Sequence, residues 1–64
     1  MKKSKMLWIA TWADYKNLDY EQLHYCDYMN GHEDLTDEVW EFVTELKEIG
    51  RIAFYEKYKE YKLY

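Results

Sequence analysis

KMLWIATW, residues 5–12, decides the fold of this 64-residue chain. With a period of two, Met6, Trp8, Ala10 and Trp12 alternate with Leu7, Ile9 and Thr11, and the residue types favour a strand. Apolar side chains fall on both faces, the pattern of a strand buried on each side. With a helical period, Trp8, Trp12 and Tyr15 stand four and three apart, and Ser4 precedes them as a cap. The strand is the main reading. It predicts a small single α+β domain over residues 1–64, with an N-terminal strand at 6–12 and two to three helices at 19–30, 36–49 and 51–62. A lone strand must pair with something. Either residues 51–56 form a second strand beside it, or a second copy of the chain does. An all-α arrangement follows if residues 5–12 are helical instead.

Outward from that stretch, Asp19-Tyr20-Glu21-Gln22 fits a loosened capping box, and Asn30-Gly31 supplies a left-handed stop. The competing reading makes Asn30-Gly31 a hairpin turn. The firmest element is DEVWEFVTELKE, residues 37–48. Thr36 is a good N-cap, Asp37 and Glu38 suit the positive end of the helix dipole, and Gly50 ends the helix. Val39, Phe42, Val43, Leu46 and Ile49 make one apolar stripe, and Leu35 with Trp40 suits a hydrophobic staple. After Gly50, Phe54, Tyr55, Tyr58 and Tyr61 gather on one side at helical spacing. That stripe is rotated by roughly 90° from the one before it, so Gly50 marks a break or bend.

Composition narrows the class of protein. A chain this short hides only about 60% of its unfolded surface, and the one cysteine, Cys26, excludes an internal disulfide and favours a reducing compartment. Thirteen aromatic residues supply a core but exceed what so small a body can bury. Some must be exposed, where Tyr and Trp are common in interfaces. The apolar run Met6–Trp12 falls far short of the roughly 20 residues a spanning helix needs. Met1-Lys2-Lys3 mimics the start of a signal peptide, but no small-residue cleavage site follows. The expectation is a cytoplasmic protein with no membrane partner.

Candidate chemistry is sparse. His24, Cys26, His32, Glu33 and Asp34 offer metal-ligand types, but not the paired spacing of structural zinc sites. A nucleophilic Cys26 would need His24 beside it, and on a helix a residue two positions away points elsewhere. The two glycines stand alone, so no phosphate-cradling loop is present. The expectation is a protein without catalytic residues, metal or cofactor. Lys2, Lys3, Lys5, Lys57, Lys59 and Lys62 are interleaved with aromatics at the two ends of the chain, which is the chemistry of single-strand binding. The acidic middle would repel a phosphate backbone, so direct nucleic-acid binding is not expected.

Charge is uneven: +3 over residues 1–16, −3 over 17–32, −6 over 33–50 and +2 over 51–64. Asp37, Glu41, Glu45 and Glu48 recur at offsets of four, four and three, widened by Glu38. Lys47 is badly placed to relieve them, although helices normally offset such rows with lysines one turn away. An ordinary solvated helix face is one explanation. The other is an electrostatic lure for a basic protein surface, such as a groove that holds nucleic acid. In general character (very short, acidic, aromatic-rich, without linkers) the chain resembles the small inhibitors encoded by phages and other mobile elements, although no motif carries the likeness. The leading expectation is a non-enzymatic inhibitor or modulator that docks on a larger host protein through Asp37, Glu38, Glu41, Glu45 and Glu48, with Trp40, Tyr55 and Tyr58 as anchors. The alternatives are a homodimer that self-associates through the N-terminal strand with Trp8 and Trp12, and a binder of nucleotides or other small ligands that uses stacked aromatics.

Overall fold

Residues 5–12 lie inside a helix, α1 (Lys3–Tyr15), in the computed structural model, which describes residues 1–63. Among the described residues there is no strand, so the α+β expectation is corrected to an all-helical domain. The pairing of residues 51–56 with 6–12 falls with it, and so does strand pairing with a second copy. The reason lies in how thoroughly α1 is enclosed. Leu7, Ile9, Ala10, Thr11 and Ala13 are all buried, and at 100° per residue they span roughly 200° of its circumference. A helix wrapped that far carries apolar residues at consecutive positions, and the signature that separates it from a buried strand fades. The Thr11 hydroxyl donates to the Trp8 carbonyl at 2.7 Å, so its burial strands no polar group. Ser4 does not cap the helix, which begins at Lys3. Its far end closes without glycine. Asn17 takes a left-handed conformation (φ 57°), its N–H donates to the Asp14 carbonyl and that of Leu18 to the Ala13 carbonyl, each at 3.0 Å. Asparagine is the residue that best substitutes for glycine in such a stop.

The capping box is present as read. The Gln22 N–H donates to the Asp19 carboxylate at 2.8 Å, and the Asp19 N–H to the Gln22 side-chain oxygen at 2.9 Å. The helix it starts, α2 (Tyr20–His24), is far shorter than the expected 19–30. Leu23 and Met29 are both fully buried, and six residues along one helix they would point about 120° apart. An extended Cys26 resets the direction, and a 3₁₀ turn, Asp27–Met29, brings Met29 back to the core. Gly31 (φ 84°) then turns the chain into a second 3₁₀ turn, Glu33–Leu35, which excludes the strand hairpin.

That turn runs directly into α3 (Thr36–Lys57), so Thr36 is its first helical residue and not its cap. The Thr36 side chain is buried and occupied elsewhere: its hydroxyl donates to the Glu33 carbonyl at 2.8 Å and meets His24 Nδ1 at 2.9 Å. With the hydroxyl proton given to Glu33, His24 Nδ1 is the donor of the second bond. Inside α3, Gly50 has φ 85° and ψ 164°, a conformation open essentially to glycine alone. The helix breaks there into arms 36–49 and 51–57, and the second folds back on the first. The Phe42 and Tyr58 ring centres are 5.9 Å apart, whereas a straight helix would separate those residues by about 24 Å. A 3₁₀ turn, Lys59–Tyr61, completes the described chain, so the expected helix 51–62 is shorter but its aromatic side faces inward as read. Ile49 leaves the expected apolar stripe and is 42% exposed at the bend.

The core has two parts. Ile9, Ala10, Ala13, Leu23, Met29, Val39 and Val43 form one between α1, α2 and arm 36–49. Leu7, Leu46, Phe54 and Leu63 form the other beneath arm 51–57, ringed by Phe42, Tyr55, Tyr58 and Tyr61.

Candidate functional site

Arm 36–49 packs Val39, Val43 and Leu46 inward and turns its acids out. Asp37, Glu41 and Glu48 lie within about 40° of one another around the axis, and Glu38 extends the ridge on one flank. All four are exposed, and among the described residues none is in an ion pair. The Asp37 carboxylate accepts a hydrogen bond from the Tyr20 hydroxyl at 2.5 Å, which, ahead of desolvation, raises that hydroxyl's pKa. Trp40 is half-buried on the other flank, edge-on to Tyr20 at 5.8 Å. Lys47 lies over the Trp40 ring at 5.8 Å, turned away from the ridge.

Glu45 has a different role from its neighbours. It is half-buried, accepts hydrogen bonds from Lys57 and from the Tyr58 hydroxyl (2.6 Å), and is paired across the Gly50 bend. The bonds from Lys57 and then Tyr58 hold its carboxyl below the ordinary value of 4.5, helped by the charge of Lys3. Burial and the bond to Glu45 push the Tyr58 hydroxyl upward. Lys3 completes this cluster, with its ammonium 5.6 Å from the ring centres of Tyr58 and Tyr61 and 5.9 Å from Phe42. The structure therefore divides the expected partner-binding set. Asp37, Glu38, Glu41, Glu48 and Trp40 share a surface, Glu45 and Tyr58 join the arms of α3, and Tyr55 lies on another side.

That other side is a cleft of about 230 Å³ between α1 and arm 51–57, lined by Trp8, Thr11, Trp12, Tyr15, Arg51 and Tyr55. Arg51 donates to Asp14 at 3.2 Å and sits over the Tyr15 ring. Trp8 and Trp12 also meet Tyr28 edge-on, at 5.1 and 4.9 Å, and Lys5 lies over Trp8 and Tyr28. Sequence reasoning missed both Arg51 and Tyr15, because only the folded-back arm brings residue 51 to α1. A polar hollow of about 290 Å³ lies elsewhere, lined by His24, Tyr25, Cys26, Asp27, Asn30 and Glu33. Glu33 is held there by backbone N–H groups, its own and that of Gly31, which lower its pKa. Among the described residues no three His, Cys, Asp or Glu side chains converge closely enough to hold a metal ion. No helix among them is long and apolar enough to cross a membrane. Comparison with protein-family models, curated proteins and solved structures finds no match.

Proposed function

We propose that this protein is a non-enzymatic inhibitor or modulator that docks on a basic surface of a larger protein through the outer face of arm 36–49. One observation carries the reading: Asp37, Glu38, Glu41 and Glu48 are exposed along one helix without an ion-pair partner among the described residues. Cations are not scarce, since the chain has nine lysines and arginines. They are used elsewhere: Lys57 on Glu45, Arg51 on Asp14, Lys47 over Trp40, and Lys3 and Lys5 over aromatic rings. A ridge left uncompensated in this way projects a negative potential that speeds encounter with a basic surface and selects against acidic ones. The helix holds the charges in fixed register, and Trp40 at its flank supplies an apolar anchor. A phosphate backbone is repelled by the ridge, whereas a protein groove that holds nucleic acid has the matching sign. The reading places the protein in the cytoplasm, where Cys26 stays a thiol.

The test is affinity capture from lysate with the wild type and the double variant Glu41→Lys/Glu48→Lys, at low and high salt, followed by titration with the purified captured protein. The expected outcome is a partner with a basic binding surface, retained by the wild type and released by both the variant and salt. Binding with unchanged affinity in the variant at low salt would mean that the ridge is solvated surface and nothing more.

A further inference from the structure

The cleft face of α1 and arm 51–57 carries four features side by side. The hollow is one, walled by Trp8, Trp12, Tyr15 and Tyr55. Next to it stands Ile52, the most exposed large apolar side chain among the described residues at 91%, about 60° around the helix from Tyr55. Arg51 and Asp14 are the other two, with side chains 46% and 17% exposed. A cleft of about 230 Å³ lies below the range of roughly 300–1,000 Å³ that takes a whole small ligand, and suits a single bulky side chain. Trp8 and Tyr15 add exposed aromatic surface at 37% and 70%.

We infer that two copies of this chain associate through this face, each inserting Ile52 into the aromatic cleft of the other. A two-fold interface requires a self-complementary patch, in which each residue's contact is returned by its counterpart. Knob, hole, cation and anion adjacent on one surface meet that requirement, and the axis brings Arg51 of each copy toward Asp14 of the other. Charge selects the same face. The acidic ridge cannot meet its own copy, and it lies on the side of arm 36–49 away from α1. On the cleft face Lys5 and the paired Arg51 and Asp14, with Glu56 one turn from Ile52 paired to Lys59, leave no excess of acid to keep the copies apart. A specific interface of standard size covers about 800 Å² per partner, roughly a fifth of the 4446 Å² of this chain. The resulting pair carries its two ridges outward, so this association is independent of the docking proposed above.

Sedimentation equilibrium of the full chain, from micromolar to millimolar concentration, tests it. The wild type is expected to pass from monomer to dimer over that range. Ile52→Asp, at a position that contributes nothing to the core, is expected to weaken association by about tenfold or more while circular dichroism and melting stay unchanged. Trp8→Ala should weaken it from the other side of the contact, and Glu41→Lys/Glu48→Lys should leave it intact. A wild type that remains monomeric throughout overturns the inference, and so does a dimer that Ile52→Asp does not disturb.

Discussion

The two halves of the core are built from different materials. Around Ile9, Leu23, Met29, Val39 and Val43 the buried side chains are aliphatic, with Trp12, Trp40 and Phe42 packed at their edge, and the elements that meet there are joined by short turns. Around Leu7, Leu46, Phe54 and Leu63 the apolar residues are fewer, and what closes them is a folded-back arm held by rings and charges: Lys3, Phe42, Tyr58, Tyr61, Glu45 and Lys57. Aliphatic packing is indifferent to pH and salt near neutrality, whereas a charged clasp over a thin core is not. The second half is therefore expected to open first, and its opening would dismantle the cleft while leaving the acidic ridge in place.

The largest test of that difference is Phe54→Ala. Phe54 is fully buried and is the bulkiest side chain of the second cluster, so truncation should cost about 3–5 kcal/mol and lower the melting temperature by about 15 °C or more. The loss should be local at first. Tyrosine signals in near-ultraviolet circular dichroism should weaken as the rings around the second cluster lose their packing, while the indole N–H resonance of Trp40, which packs on the first cluster away from the cleft, stays native-like. Leu23→Ala, about 2–5 kcal/mol, should instead move both signals together. Two coincident transitions in Phe54→Ala would mean that the halves are one cooperative unit.

Gly50→Ala comes next. Nothing lies within 4 Å of a Cβ added there, so the cost is purely that of holding alanine at φ 85° and ψ 164°, about 1–3 kcal/mol. Faster amide exchange confined to residues 51–57 checks it. Equal acceleration in α1 would show that the bend supports the whole molecule.

These expectations show where the sequence was informative. The break at Gly50 was legible because the apolar stripes before and after it are out of phase, a comparison made entirely within neighbouring residues. The Asp19–Gln22 box was legible for the same reason. The helix at 5–12 was not, because enclosure over more than half its surface erases the periodicity that identifies a helix. Nor was the role of Glu45. Its lysine is twelve positions away, beyond any helix-face rule, and the opposite charges of residues 33–50 and 51–64 on either side of Gly50 were the one available hint. The acidic ridge was legible as a pattern, but which acids stay unpaired depended on the folded-back arm.

A smaller effect comes from titrating the clasp. Glu45 is held below its ordinary 4.5 by Lys57, Tyr58 and Lys3, so its contribution is present above that value and is lost as pH falls through the lower folded value. Tyr58 is raised above 10.0 by burial and Glu45, so its contribution is present below 10.0 and is lost as pH rises through the higher one. Stability should thus be flat between about pH 5 and 9 and fall on both sides. Denaturant midpoints measured from about pH 3 to 11, beyond both ends of that range, check it. Glu45→Gln should flatten the acid limb, although the lowered pKa of Glu33 keeps part of it. Tyr58→Phe should cost about 1 kcal/mol at neutral pH and flatten the alkaline limb, although the raised pKa values of Tyr20 and Lys57 keep part of it. An unaltered acid limb in Glu45→Gln would move the pH sensitivity out of the second half.

The smallest effect sharpens the comparison most directly, because one kind of contact occurs in both halves. Lys3 sits over Phe42, Tyr58 and Tyr61 beside Glu45, and Lys5 sits over Trp8 and Tyr28, which meets Trp12 at the edge of the first cluster. Replacing each by methionine keeps an apolar stem and removes the charge. Exposed cation–π contacts contribute about 0.5–1 kcal/mol. Lys3→Met should fall at the upper end of that range, because it also removes the charge that favours ionised Glu45. Lys5→Met should fall at the lower end. Chemical denaturation at low and high salt separates the two: the excess in Lys3→Met should shrink as salt screens the carboxylate, while the Lys5→Met loss stays nearly constant. Equal losses with equal salt dependence would mean that the charge beside Glu45 adds nothing, and that the second half is held by its rings alone.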